Sequence, residues 1–248
     1  MPTILTFIFL LQVVLPPAIL NIIAYPVSHR WSMAISNYIV KVCAPRVFAL
    51  LAMYKQFRFL GDKKSKELLP EQFVVISNHQ SLLDIPLFMN YMRDKELRFV
   101  AKDQLSRHVP LVSEMLRTQE HCMIPRRGSP MVAMKTMEAF SKRVIARNQI
   151  PIIFPEGTRS RDGKVGKFYS AGFRKIAETV KLPVAVVALD GGWKISSLDG
   201  IARNLYKGAY RVKVLKVYDA PQTKEDEARI LEEGRELIVK QLEEWRAQ

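Results

Sequence analysis

The stretch Phe73-Val74-Val75-Ile76-Ser77-Asn78-His79-Gln80-Ser81-Leu82-Leu83-Asp84 sets an apolar run directly against a polar one. A short β-rich segment ending in groups that can carry protons is the pattern of a strand delivering a loop to the carboxyl edge of an open α/β sheet, where such sheets place their sites. The same punctuation recurs along the chain. Strand-like runs at 57–60, 97–101, 122–125, 151–154, 183–189 and 210–217 alternate with helical patterns at 82–92, 130–147 and 171–180, with Pro130 suited to a first helical turn. This alternation predicts an α/β domain with a mostly parallel central sheet flanked by helices. An amphipathic helix over 223–245 closes it, with Ile230, Leu231, Leu237, Ile238, Leu242 and Trp245 as its apolar set and its charges as a solvated face.

The chain has 248 residues, enough for one such domain and an appendage. No Lys, Arg, Asp or Glu occurs before Arg30, and residues 3–28 exceed the roughly 20 that a helix needs to cross a bilayer. The expected division is therefore membrane-attachment helices over 1–59 and the α/β domain over 60–248. Pro16 and Pro17 interrupt the apolar segment, which predicts either a kinked span or a helical hairpin entering one leaflet. Arg30, Lys41, Arg46, Lys55 and Arg58 follow it, which suits interfacial helices with snorkelling ends and puts the body on the cytoplasmic face. Net charge is +14, and the excess lies in residues 1–218, with 33 basic and 15 acidic residues. Such a field favours anionic partners without choosing among nucleic acid, lipid headgroups and phosphorylated substrates. Cys43 and Cys122 stand alone, without disulfide or zinc spacing, and read as reduced packing residues.

His79 and Asp84 lie five residues apart, about 140° around a regular helix, so they cannot pair within one. They can pair if His79 stays in the loop and the helix starts near Ser81 as N-cap. A histidine so oriented is a general base able to activate an alcohol against a thioester; the plainer alternative is a loop histidine and a capping acid. Phe154-Pro155-Glu156-Gly157-Thr158-Arg159-Ser160 follows another strand. Gly157 allows close backbone approach, Arg159 offers a planar fork for phosphate, and Glu156 is placed to orient glycerol hydroxyls or Arg159 itself. Arg126, in Ile124-Pro125-Arg126-Arg127-Gly128, and Lys102 also follow strands. If those strands are parallel neighbours, His79 faces a basic pocket of Lys102, Arg126 and Arg159.

Other chemistries lack their residues. There is no G-x-S-x-G and no H-E-x-x-H, and the nearest approach to a P-loop, Gly157 to Gly163-Lys164, has the wrong spacing and Val165 in place of Ser or Thr. The residues present resemble the glycerolipid acyltransferases, most closely the bacterial-type 1-acyl-sn-glycerol-3-phosphate acyltransferases. N-H-Q-S-L-L-D at 78–84 is similar to that family's first motif, and F-P-E-G-T-R-S at 154–160 to its third. Ile124-Pro125-Arg126 resembles the second, with Pro125 where an acidic residue is common. Leu182-Pro183-Val184-Ala185-Val186 resembles the fourth, with Ala185 where a second proline is frequent.

The resemblance implies that His79 is the catalytic base and Asp84 its partner, and that Glu156, Gly157 and Arg159, with Arg126 and Lys102, bind the glycerol phosphate of the acceptor. Asn78, Ser81, Thr158, Ser160 and Pro183 support the motifs. It implies direct transfer from acyl-CoA or acyl carrier protein to the sn-2 hydroxyl of a lysophosphatidic acid, with no metal or resident cofactor. Membrane lipid and thioester, and not nucleic acid, are then the expected partners; nothing in the pattern specifies an oligomeric state. The rival readings are transfer to another lysophospholipid, transacylation, and a noncatalytic basic membrane-binding protein for which His79 would be dispensable.

Overall fold

The computed structural model describes residues 2–102, 113–125 and 129–247. The chain opens with a helical hairpin. Helix α1 (Pro2–Val27) turns at Ser28, whose side chain caps α2 (His29–Tyr38), and a π-turn at Ile39–Cys43 leads into α3 (Ala44–Lys55). Pro16 and Pro17 do not interrupt α1, contrary to expectation. Each proline forfeits one backbone bond, but α1 packs lengthwise on α2 and α3, and these contacts hold a helix that local propensity would break. At 26 residues α1 is about 39 Å long. Two segments, Ile8–Val27 and His29–Lys55, are long and apolar enough to cross a membrane.

Both ends of the hairpin rest on the body. Near the turn, Ser32 bonds Asn21 at 2.7 Å and Thr118 at 2.6 Å, Asn21 donates to Ser36 at 3.1 Å, and the Arg117 guanidinium lies 4.7 Å from the centre of the Tyr25 ring. Asn21, Ser32 and Ser36 are wholly buried, so this polar cluster fixes how α1 and α2 seat on α6 (Ser113–Thr118). At the other end α3 packs on α5 (Asp84–Tyr91) and β1 (Arg58–Gly61). The opposite side of α1 exposes Leu5, Ile8, Leu11, Leu15, Ile19, Ile22 and Ile23, a stripe at helical spacing.

Beyond the hairpin a seven-stranded sheet runs in the order β1-β7-β6-β2-β5-β3-β4, from β2 (Val74–Ser77), β3 (Leu97–Lys102), β4 (Cys122–Ile124), β5 (Ile150–Ile153), β6 (Val184–Asp190) and β7 (Ala209–Tyr218). All pairings are parallel except β6 with β7. All seven sequence-predicted strands are present. The inner strands β2, β5 and β6 are buried throughout, which explains their continuous apolar runs. Val75, Ala185 and Val187 face one core with α3 and α5; Val74, Ile76, Val184 and Val186 face the other, under α7 (Pro130–Ala146), α8 (Ser170–Val180) and α10 (Lys224–Arg246). A short α4 (Lys63–Lys66) and α9 (Leu198–Asn204) complete the described helices. Cys43 and Cys122 are free and buried.

His121 sits inside this framework and accepts a bond from the Phe99 backbone N–H at 2.9 Å through Nδ1, extending the β3–β4 edge by one acceptor. Burial, with Arg98 and Arg143 nearby, pushes its pKa down from 6.5 to about 3. The unfolded chain thus takes a proton that the folded chain refuses until about pH 3. Stability is full above about pH 6.5 and falls on acidification, at up to about 1.4 kcal/mol per pH unit from this group. His121→Asn keeps an acceptor near Nδ1 and cannot titrate, so denaturant unfolding at pH 7, 6 and 5 is expected to give it a shallower loss than the wild type.

Candidate active site

Because β6, β2, β5, β3 and β4 are parallel, their carboxyl ends share one edge, and the loops carrying His79, Glu156 to Ser160, Lys102 and Arg126 leave it from adjacent strands. The juxtaposition of His79 with Glu156 to Ser160 is therefore a consequence of strand order. The Lys102 backbone ends β3; its side chain, and all of Arg126, lie outside the described residues.

His79 Nδ1 lies 2.5 Å from Asp84 Oδ2. Helix α5 starts at Asp84, later than expected, and Ser81 is not its N-cap. The Ser81 hydroxyl instead accepts from the Leu83 N–H at 3.2 Å, making a tight turn that aims Asp84 back at the loop. Asp84 Oδ2 also accepts the backbone N–H groups of Gln80 and Ser81, at 2.7 and 3.1 Å, and Oδ1 accepts the Tyr210 hydroxyl. With two backbone N–H groups and the Tyr210 hydroxyl already donating to this fully buried group, Asp84 serves as an acceptor toward the imidazole. Nδ1 must then carry the proton, and Nε2 presents its lone pair. The imidazole is stacked on Phe154 at 4.2 Å between centroids and keeps 17% of its side-chain surface exposed, so one edge is open to substrate.

The second loop grips the first. Glu156 Oε1 accepts the His79 N–H at 2.8 Å, while the Ser160 N–H donates to the His79 carbonyl at 2.8 Å. Glu156 Oε2 accepts the Gly166 N–H, also at 2.8 Å. Both Glu156 oxygens are therefore engaged by backbone, and burial raises this carboxyl above its ordinary range although those two N–H groups oppose the shift. Neither oxygen is paired with Arg159. Gly157, at φ 62°, closes the turn with its N–H on the Phe154 carbonyl at 3.0 Å. Thr158 and Arg159 project into solvent, and Arg159 has no hydrogen bond or ion pair among the described residues. It is a cation without a counter-charge one strand away from His79.

Asn78 exchanges two 2.9 Å bonds with the Leu189 backbone, continuing the β2–β6 ladder past its end, and the Pro183 carbonyl accepts Val74 N–H at 2.8 Å at the start of that ladder. Gln80 spans from Asp190 at 3.2 Å to the Gly192 N–H at 3.0 Å, and Arg246 holds Asp190 at 2.7 Å and the Gly163 carbonyl at 2.8 Å.

Tyr210, Asp190 and Arg246 were not legible as site residues. The only local hint was Gly191-Gly192 after β6: a Cβ at Gly192 would stand 2.0 Å from the Tyr210 hydroxyl, so glycine there is what admits the phenol to Asp84. Tyr210→Phe leaves one Asp84 oxygen without its donor and is expected to lower kcat about tenfold with little change in acceptor KM, measured by steady-state kinetics.

The acyltransferase family model matches residues 61–190, which hold both loops. The chain belongs to the acyltransferase family. Among curated relatives of the chain, the 1-acyl-sn-glycerol-3-phosphate acyltransferase of Cocos nucifera is 34% identical over 128 residues, covering 50% of the chain and 40% of that protein. The enzyme of the same name from Helicobacter pylori is 26% identical over 145 residues, covering 58% and 59%. The chain thus spans about half the length of the curated relatives it matches. The crystal structure of the 1-acyl-sn-glycerophosphate (LPA) acyltransferase PlsC from Thermotoga maritima aligns over 100% of the chain and 99% of its own, with TM-score 0.66 and 20% identity. The chain therefore shares its fold.

Proposed function

We propose that this acyltransferase moves a fatty acyl group from an acyl thioester to the sn-2 hydroxyl of 1-acyl-sn-glycerol 3-phosphate, giving phosphatidic acid. The observation that carries the reading is a histidine with Nδ1 tied to a buried carboxylate and Nε2 open, one strand from an arginine that has no ion pair among the described residues. Nε2 takes the proton of the acceptor hydroxyl as its oxygen bonds to the thioester carbonyl carbon. The tetrahedral adduct then collapses, the C–S bond breaks, and the imidazolium returns the proton to the leaving thiolate. Arg159 binds the acceptor phosphate, with Lys102 and Arg126 as further cations. No resident cofactor is needed, because the thioester is a cosubstrate.

The exposed stripe of α1 supports membrane attachment, since contiguous apolar surface of this kind is rarely left in water. A hairpin seated on the body at both ends fits entry into one leaflet better than a crossing. The cations from Arg30 to Arg58 support a cytoplasmic position for the body.

The test is thiol release from palmitoyl-CoA and from palmitoyl acyl carrier protein by purified protein, with lysophosphatidic acid, with lysophosphatidylcholine, and with no acceptor. Release that depends on the phosphomonoester acceptor supports the reading and chooses the donor. Release that ignores the acceptor, or needs lysophosphatidylcholine, overturns it.

A further inference from the structure

Between the end of β6, the turn at Gly192–Ile195, α9 and the start of β7 lies a cavity of about 330 Å³, lined among others by Asp190, Lys194, Arg203, Tyr206, Lys207 and Arg211. Four cations face it with one carboxylate, and that carboxylate is already held by Arg246 at 3.1 and 2.7 Å. Lys194 and Lys207 make no ion pair among the described residues. Their ammonium groups rest near neighbouring rings, Trp193 at 5.6 Å and Tyr206 at 5.3 Å. Arg211 donates to the Trp245 carbonyl, and Arg203 pairs only with Asp199 on its own helix. Like charges on a concave wall focus the field and concentrate anions. The larger cavity against α10, about 530 Å³, sets Lys167 and Arg235 against Glu232 and Glu236 and has no such excess.

We infer that the cavity beside Asp190 seats the phosphates of the coenzyme A end of the acyl donor, an inference that rests on the acyl-transfer reading above. Position argues for the donor. Asp190 lines the cavity and bonds Gln80, the residue next to His79. In the order β7-β6-β2-β5 the cavity lies on the β7 side of His79 and Arg159 on the β5 side, so two anionic substrates reach the base from opposite directions. Two strand spacings are about 10 Å, a gap that the pantetheine arm between pyrophosphate and sulfur can bridge. The mostly charged and polar lining suits a nucleotide and not an acyl chain, and a half-open hollow of this volume suits a small anion better than the broad face a carrier protein would need.

The variant is Lys194→Gln combined with Lys207→Asn, in the full chain. Both side chains are exposed, and asparagine tolerates the left-handed backbone at 207, where φ is 58°. Two readouts are taken: the ratio of kcat/KM for palmitoyl-CoA to that for palmitoyl-pantetheine, which lacks the phosphates, and calorimetric binding of adenosine 3′,5′-bisphosphate. The ratio is expected to fall about tenfold and the bisphosphate to bind about tenfold more weakly. An unmoved ratio in an active enzyme overturns the site and leaves the proposed function standing. Bisphosphate binding lost in the variant, with no acyl transfer by wild type, keeps the site and removes that function. Wild type that fails to bind the bisphosphate overturns the site, as does a variant that loses only its sedimentation with phosphatidylglycerol vesicles, which would assign the cations to lipid headgroups.

Discussion

His79→Ala is expected to lower acceptor-dependent kcat about 10³- to 10⁴-fold while leaving the protein folded. The two halves of that expectation have separate causes. Catalysis is lost because among the described residues no other group stands where Nε2 stands: Asp84 is buried and occupied by donors, and Glu156 is turned onto backbone. The fold survives because removing the imidazole takes one donor from Asp84 and leaves three, so no buried charge is orphaned. The lost stacking on Phe154 costs about 1 kcal/mol. Asp84→Ala is a poorer probe, since it strips the acceptor from Gln80 N–H, Ser81 N–H and the Tyr210 hydroxyl at once and confounds activity with stability. A His79→Ala protein that melts like the wild type and still turns over within tenfold of it would remove His79 as the base.

What the sequence discloses and what it conceals divide along contact distance. The strands were legible because β2, β5 and β6 are buried on both faces and must be apolar throughout. The His79–Asp84 pair was legible because both partners lie within one loop and helix start. Hairpin continuity was not, because what carries α1 through Pro16-Pro17 is packing on α2 and α3, and no local rule contains that term. Tyr210 was missed for the same reason: it reaches Asp84 across 126 residues, from a strand whose register against β6 no periodicity reveals. The grip of Glu156 on the His79 and Gly166 backbone was not legible, because a motif names a residue without saying which way its carboxylate turns.

The part played by that carboxylate can be tested by how a substitution divides its effect between kcat and KM. Glu156→Gln keeps size and hydrogen-bonding number but turns one acceptor into a donor. Its two oxygens now receive the N–H groups of His79 and Gly166, each at 2.8 Å, in a site where the side chain is nearly inaccessible. Whichever way the amide is placed, an NH₂ must face a backbone N–H. There is no slack on the Gly166 side, where even an added Cβ would stand 2.9 Å from Oε2. The expected result is a loss of about 1–3 kcal/mol in stability and about a hundredfold fall in kcat, because the His79 backbone is no longer pinned, while KM for lysophosphatidic acid stays within about twofold. A carboxylate that held the acceptor's hydroxyls would give the reverse, KM rising with kcat preserved, because only ground-state binding would be lost. Steady-state kinetics with varied acceptor, alongside a melting curve, separates the two, and a raised KM at unchanged kcat would return Glu156 to the substrate.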